Sequence, residues 1–247
     1  MTGLHDVTPL RGMTRLLASV QNEHEALEAL AGGADIVDFK NALQGALGAL
    51  DPEVITSGLK ALGGRAVTSA TAGDWALEPH LLIQAVRRTG ATGVNYVKLG
   101  LLAGPALEPC IDALASTARE LRIVAVFFAD RCVPLDALCK LRCAGFAGAM
   151  IDTFDKLSGG LRRHLSDAML GDFVAAGKRL GLLTGLAGSL RLEDIPSLAA
   201  VEPDLLGFRG ALCDDADRTT PLSAARVRSV RAALDQAAVA RCAPLAN

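Results

Sequence analysis

The stretch DIVDFKNALQGALGALDPEVITSGLKALGGRAVTSAT, residues Asp35–Thr71, decides the fold. It opens with a short apolar run, Asp35–Phe39, and closes with another, Arg65–Thr71. Runs of this length, rich in Ile, Val, Phe and Thr, read as strands. Between them Asp51-Pro52 supplies a helix N-cap with proline at the first helical position, where an amide proton has no partner to lose. Gly63-Gly64 then stops the helix, because glycine alone enters the left-handed conformation without strain. Strand, helix and strand in this order form a β–α–β unit, whose two strands must run parallel.

The unit recurs along the whole chain. Met13–Ser19, Val94–Gly100, Arg122–Phe128, Gly148–Asp152, Gly181–Ala187 and Leu205–Arg209 are further apolar runs, nearly continuous as befits strands buried on both faces. Helical patterns such as EHEALEALAGG, EPHLLIQAVRRTG, PLDALCKLRCAG and SDAMLGDFVAAGKRLG lie between them, and PLSAARVRSVRAALDQAAVA closes the chain. Eight such units in about 235 residues predict a single-domain α/β protein, a (β/α)8 TIM barrel over 13–247, preceded by a leader at 1–12. A doubly wound open sheet is the runner-up, but the first turn lacks its Gly-x-Gly-x-x-Gly fingerprint.

Composition narrows the partners. The chain of 247 residues is 51% hydrophobic with a net charge of −2, which excludes disorder and gives no polyanion-binding surface. Aromatic residues are only 4%, too few for a base-stacking platform, so no nucleic-acid partner is expected. No apolar run approaches the ~20 residues that span a bilayer, and MTGLHDVTPLRG has no apolar signal core; a cytoplasmic protein without membrane contact is expected. Cys110, Cys132, Cys139, Cys143, Cys213 and Cys242 read as buried reduced thiols; Cys139 and Cys143 stand at i, i+4, but no histidine is near them, and no metal is expected. The closing helix and a mean hydropathy of +0.33 point to a homo-oligomer.

In a barrel of this kind, function is built where strands end and the following loops begin. Those ends carry Ser19, Asp38, Lys40, Asn41, Ser69, Thr71, Lys98, Asp130, Asp152, Gly188-Ser189 and Arg209-Gly210. Lysine is scarce, six against nineteen arginines, yet Lys40, Lys98 and Lys156 all fall at or near strand ends, while Lys60, Lys140 and Lys178 fall on helices. Lys40 to Lys98 is 58 residues, Lys98 to Asp152 is 54, and Asp152 to Arg209 is 57, two units each time. All four therefore belong to even-numbered strands, and alternate strands fill a common layer, so Lys40, Lys98 and Asp152 are expected to converge. Arg209 faces outward if its register slips by one residue.

A free lysine, with a pKa of about 10.4, is a neutral nucleophile in only about one molecule per few thousand at pH 7. Burial and a neighbouring ammonium both lower that value. Lys40 beside Lys98, with Asp38 and Asp152 to carry protons, suits a Schiff base with a carbonyl substrate. The plainer reading is two structural salt bridges. LAGSL (Leu186–Leu190) and GFRGA (Gly207–Ala211) are small-residue turns at the usual phosphate position of such barrels. Gly188, Ser189 and Gly210 would offer amides there, with Arg209 adding charge.

Taken in order, DIVDFKNALQGALGA, VTSATAGD, YVKLGL, MIDTFDK, LAGSL and GFRGALC resemble the (5-formylfuran-3-yl)methyl phosphate synthase family from about Met13 to about Arg231. The family serves furan-cofactor biosynthesis in methanogens and methylotrophs. The resemblance implies a barrel that condenses two glyceraldehyde 3-phosphate molecules into 4-(hydroxymethyl)-2-furancarboxaldehyde phosphate, releasing one phosphate and two waters. It implies Lys40 as Schiff-base lysine, Lys98 as proton acceptor, Asp38, Asp152 and Lys156 as further active-site residues, and no metal or organic cofactor. The chain departs from the family pattern at Ala42, where proline is common, and at Ala46, where serine is frequent. Two competing enzyme readings are a Schiff-base aldolase for other phosphorylated carbonyls and an orotidine-decarboxylase-like site suggested by Asp38-x-Lys40. The latter needs an aspartate where Leu43 stands. A non-catalytic sugar-phosphate-binding barrel is the alternative from a different class.

Overall fold

All eight apolar runs form strands, with ends shifted by at most two residues from the expected limits. They are β1 (Arg15–Val20), β2 (Ile36–Phe39), β3 (Val67–Thr71), β4 (Tyr96–Gly100), β5 (Ile123–Phe128), β6 (Gly148–Asp152), β7 (Leu183–Leu186) and β8 (Leu205–Phe208). Every pair is parallel, and β8 pairs with β1 to close the barrel. The computed structural model describes residues 13–155 and 158–242; the expected leader at 1–12 and Lys156 lie outside the described residues.

The helices are α1 (Glu23–Ala31), α2 (Pro52–Leu62), α3 (Pro79–Gly90), α4 (Leu107–Glu120), α5 (Ala137–Ala144), the single turn α6 (Leu161–His164), α7 (Asp167–Arg179), α8 (Ile195–Ala200) and α9 (Ala224–Cys242). In α2 the proline start and the Gly63 stop hold, the latter at φ +56°. Asp51 occupies the N-cap position in extended conformation, but its side chain makes no capping bond; Asn22 and Ser166 do cap α1 and α7. Helix α2 lies so close on β2 that a Cβ at Gly58 would come within 2.4 Å of the Phe39 ring.

Alternation along each strand divides the core in two. Leu17, Ile36, Tyr96, Val124, Val126, Phe128, Met150 and Leu205 fill the barrel interior. Their neighbours Leu16, Val37, Phe39, Leu99, Phe127, Ile151 and Leu206 meet the surrounding helices. The interior is thus a packed core. The same alternation sends Asp38 and Lys40 inward, two and four residues after Ile36.

The expected burial of the cysteines needs correction. Cys110 and Cys213 are buried free thiols, but Cys132, Cys139 and Cys143 are exposed. On α5 it is Leu138 and Leu141 that take the buried face, leaving the two cysteines outward. Among the described residues no group of three His, Cys, Asp or Glu side chains is placed to hold a metal ion, and no helix is long and apolar enough to cross a membrane.

Candidate active site

The strand register builds the site around Asp38. Ser19 on β1 and Ser69 on β3 are the direct ladder neighbours of Asp38. Both hydroxyls donate to its carboxylate, Ser19 Oγ to Oδ2 at 2.9 Å and Ser69 Oγ to Oδ1 at 2.6 Å. From β4, Lys98 Nζ donates to Oδ2 at 2.6 Å. Lys40 sits one residue past β2, its amide held by the Val20 carbonyl. Its ammonium crosses the mouth to Asp152 Oδ2 on β6, four strands away on the opposite wall, at 3.2 Å. Asp152 Oδ1 accepts the amide of Thr153 at 2.7 Å. The four are nearly removed from solvent: Asp38 0%, Lys98 5%, Asp152 6% and Lys40 7% exposed.

Two buried ion pairs are a poor device for stability, since desolvating each charge costs about as much as the pairing returns, and well-packed apolar residues serve as well or better. Ionisable groups concentrated at a strand-end mouth are the usual mark of chemistry. Burial lowers the pKa of Lys98 below its ordinary value; Asp38 opposes the shift and the Lys40 ammonium adds to it. Lys98 therefore gives up its proton more readily than a solvated lysine does.

The surrounding loops are pinned. In the segment 41–51, Asp74 accepts the amide of Leu47 at 3.0 Å, and Thr71 Oγ1 donates to the Gly48 carbonyl at 2.7 Å. A Cβ at Gly48 would stand 2.1 Å from the carbonyl oxygen of Gln44, so this close turn requires glycine. Ala46 is buried within the interior apolar cluster, and Ala42 is also buried. Asp130 accepts the amides of Phe154 at 2.6 Å and Asp155 at 2.8 Å, fixing the segment that enters Lys156. Burial pushes the Asp130 carboxyl upward, but those amide bonds outweigh it and hold the pKa below the ordinary range.

Small residues turn the chain after β7 and β8. Gly188 (φ +116°) packs against Thr153, where a Cβ would come within 2.9 Å, and exposed Ser189 (φ +49°) follows it. Gly210 opens the short turn Gly210–Leu212 and lies against the carbonyl of Ala216. Arg209 departs from expectation. Its five N–H donors are all committed: Nε to the Arg218 carbonyl, Nη1 to the Ser19 carbonyl and Glu25 Oε2, Nη2 to Glu25 Oε1 and the Thr220 carbonyl. It braces β1, α1 and the loop after β8 and has no donor left for a phosphate. Glu25, on α1, is its buried partner. Arg218, nine residues beyond Arg209 in an acidic loop, also escaped sequence reading, and no local pattern marks it.

Buried lysines and aspartates gathered at the C-terminal ends of β2, β4 and β6 place the molecule in the class of (β/α)8 barrels that build their chemistry from strand ends. A family model described as 4-HFC-P synthase matches residues 16–231, and the chain belongs to this family. A Methylorubrum extorquens protein provisionally named (5-formylfuran-3-yl)methyl phosphate synthase is 45% identical over 213 residues, 86% of this chain and 88% of the relative. The (5-formylfuran-3-yl)methyl phosphate synthase of Methanopyrus kandleri is 38% identical, covering 83% and 91%. That of Methanosarcina mazei is 33% identical, covering 92% and 99%. Among solved structures, phosphoribosyl anthranilate isomerase from Thermus thermophilus aligns over 90% of this chain and 99% of its own with a TM-score of 0.64 at 18% identity. A 3-hexulose-6-phosphate synthase aligns over 89% and 99% with a TM-score of 0.61 at 18% identity. At such identities the likeness concerns the barrel alone.

Proposed function

We propose that this protein is a (5-formylfuran-3-yl)methyl phosphate synthase that joins two molecules of glyceraldehyde 3-phosphate through a lysine Schiff base. The observation that carries the reading is the buried pair of ion pairs, Lys40–Asp152 and Lys98–Asp38, meeting at one mouth. Family membership supplies the reaction.

In the proposed sequence neutral Lys40 attacks the carbonyl of one triose phosphate, and loss of water leaves an iminium. The iminium acidifies the adjacent C–H, and neutral Lys98 removes that proton to give an enamine. Asp38, fixed by Ser19 and Ser69, takes up the proton held on Lys98, and Asp152 receives the one released at Lys40. The enamine adds to the aldehyde of the second triose phosphate. Elimination of one phosphate, ring closure and loss of water complete the furan, so two triose phosphates give one furan phosphate, one inorganic phosphate and two waters. Amides of Gly188, Ser189 and Gly210 serve one phosphate ester, and Lys156 is proposed for the same mouth. No metal or organic cofactor enters this scheme.

Borohydride added during turnover tests it. The expected result is a reduced adduct on the peptide containing Lys40, together with a near-ultraviolet furan product from glyceraldehyde 3-phosphate alone. Turnover without any lysine adduct overturns the Schiff base. The lowered pKa of Lys98 favours a second assignment, with the imine on Lys98 and Lys40 as the neighbouring charge. The same trapping then labels the peptide containing Lys98.

A further inference from the structure

Arg218 stands beside this mouth without a carboxylate in contact with it among the described residues. It lies in the loop between β8 and α9, and the braced guanidinium of Arg209 holds its backbone carbonyl at 2.9 Å. Its own Nη2 donates to the carbonyls of Ala42 at 2.5 Å and Gly45 at 3.5 Å, two and five residues beyond Lys40. Its Nε is buried with no hydrogen-bond partner. Among the described residues no carboxylate pairs with it, whereas Arg209 holds Glu25 and Arg231 holds Asp35 and Asp235. Two of its surroundings tie it to the site. Asp152 is close enough for its charge to act on Arg218, and a Cβ at Gly210 would lie 3.9 Å from the Arg218 amide nitrogen.

A half-buried guanidinium held by neutral carbonyls, with a buried donor left over, is costly unless an anion completes it. Guanidinium matches a phosphate ester with parallel donors, which neither carbonyl exploits. Burial already loosens its proton relative to an ordinary arginine, and an anion would reverse that shift.

We propose that Arg218 binds a phosphate ester of the substrate at the barrel mouth, a role that the sequence directed instead to Arg209. The inference rests on the reading of the substrates as phosphorylated carbonyls. Arg209 is then a positioning residue, bonded through Glu25 to α1 and through the Arg218 carbonyl to the loop. The ester is taken by the Arg218 guanidinium on the β8 side of the mouth, next to the segment 41–45 that follows Lys40.

Titration of the protein with inorganic phosphate tests it directly. Wild type is expected to bind saturably, and Arg218→Ala to bind about ten- to a hundredfold more weakly, the worth of a charged hydrogen-bonded contact. Arg218→Lys retains part of the affinity, and methylguanidinium restores part of it to Arg218→Ala. The preference for glyceraldehyde 3-phosphate over glyceraldehyde in borohydride trapping falls with it, a change that a purely structural loop contact would not cause. In wild type, phosphate shields Arg218 from phenylglyoxal, a measurement that needs no variant to fold. Unshielded Arg218, or phosphate affinity unchanged in folded Arg218→Ala, overturns the inference. If the protein forms no furan but still binds phosphate through Arg218, the synthase reading falls and the anion site stands.

Discussion

Asp35, just ahead of β2, and Asp38, within it, lie only three residues apart, toward opposite ends of the barrel, and do different work. Asp35 accepts the amide of Leu16 at 2.7 Å and pairs with Arg231 on α9. Asp38 is fully buried and accepts only side chains, two hydroxyls and a lysine. Asp204 and Asp152 repeat the contrast. Asp204, ahead of β8, takes both the amide and the hydroxyl of Thr184, at 2.7 and 2.8 Å. Asp152, ending β6, takes the ammonium of Lys40. At the N-terminal end, then, a carboxylate satisfies backbone donors that parallel strands leave open, which is a matter of folding. At the C-terminal end Asp38 and Asp152 each hold a lysine ammonium, the groups to which the proposed chemistry is assigned, and Asp152 takes one backbone amide besides. A buried lysine partner is what sets Asp38 and Asp152 apart from Asp35 and Asp204.

Substitutions at the two ends should break differently. Lys40→Arg keeps a cation opposite Asp152 but cannot form an imine. Furan formation should fall by about 10⁴ or more, read at near-ultraviolet wavelengths, with little change in melting temperature. Activity above a hundredth of wild type would erase the distinction. Lys98→Arg should cost about 10²–10⁴ in kcat. Its pH profile sharpens the point: in the proposed scheme the base is neutral Lys98, so the rate should rise with pH, and a lowered pKa puts that rising limb below 10.5 in wild type. The limb should vanish in Lys98→Arg; its persistence would assign the base elsewhere. At the other end, Asp204→Ala should lower stability by about 1–3 kcal/mol in urea unfolding while kcat per folded molecule stays as in wild type. Asp35→Asn, at a half-exposed pairing, should cost only about 0.5–1 kcal/mol and leave turnover alone. Loss of kcat in either would show that the two ends are coupled.

The fold was legible because each strand is an uninterrupted apolar run and each helix is punctuated, as Pro52 and Gly63 show for α2. The even spacing of Lys40, Lys98 and Asp152 likewise encodes their convergence, since a closed barrel converts sequence interval into angle. What sequence could not convey is who bonds to whom across long separations. Arg209 and Glu25 are 184 residues apart, so the arginine looked available when it was fully engaged. Arg218 offered no periodic cue at all, being placed by a loop whose path depends on that same brace. Asp130 sat at a strand end like the site residues, but only the folded path of residues 154–155 reveals it as a loop clasp.

The bond from Lys40 to Asp152 joins positions 112 residues apart across the full width of the barrel. A chain cut between α4 and β5 would leave Lys40, Asp38 and Lys98 on one fragment and Asp152 on the other. Neither half-barrel contains the complete charge arrangement, and a chain that ends before β6 lacks the partner of Lys40. The barrel's last closure, β8 against β1, also sets the Arg209 brace beside Ser19. Assembly and competence therefore arrive together, and recovery of product formation on mixing two such halves would report complete ring closure.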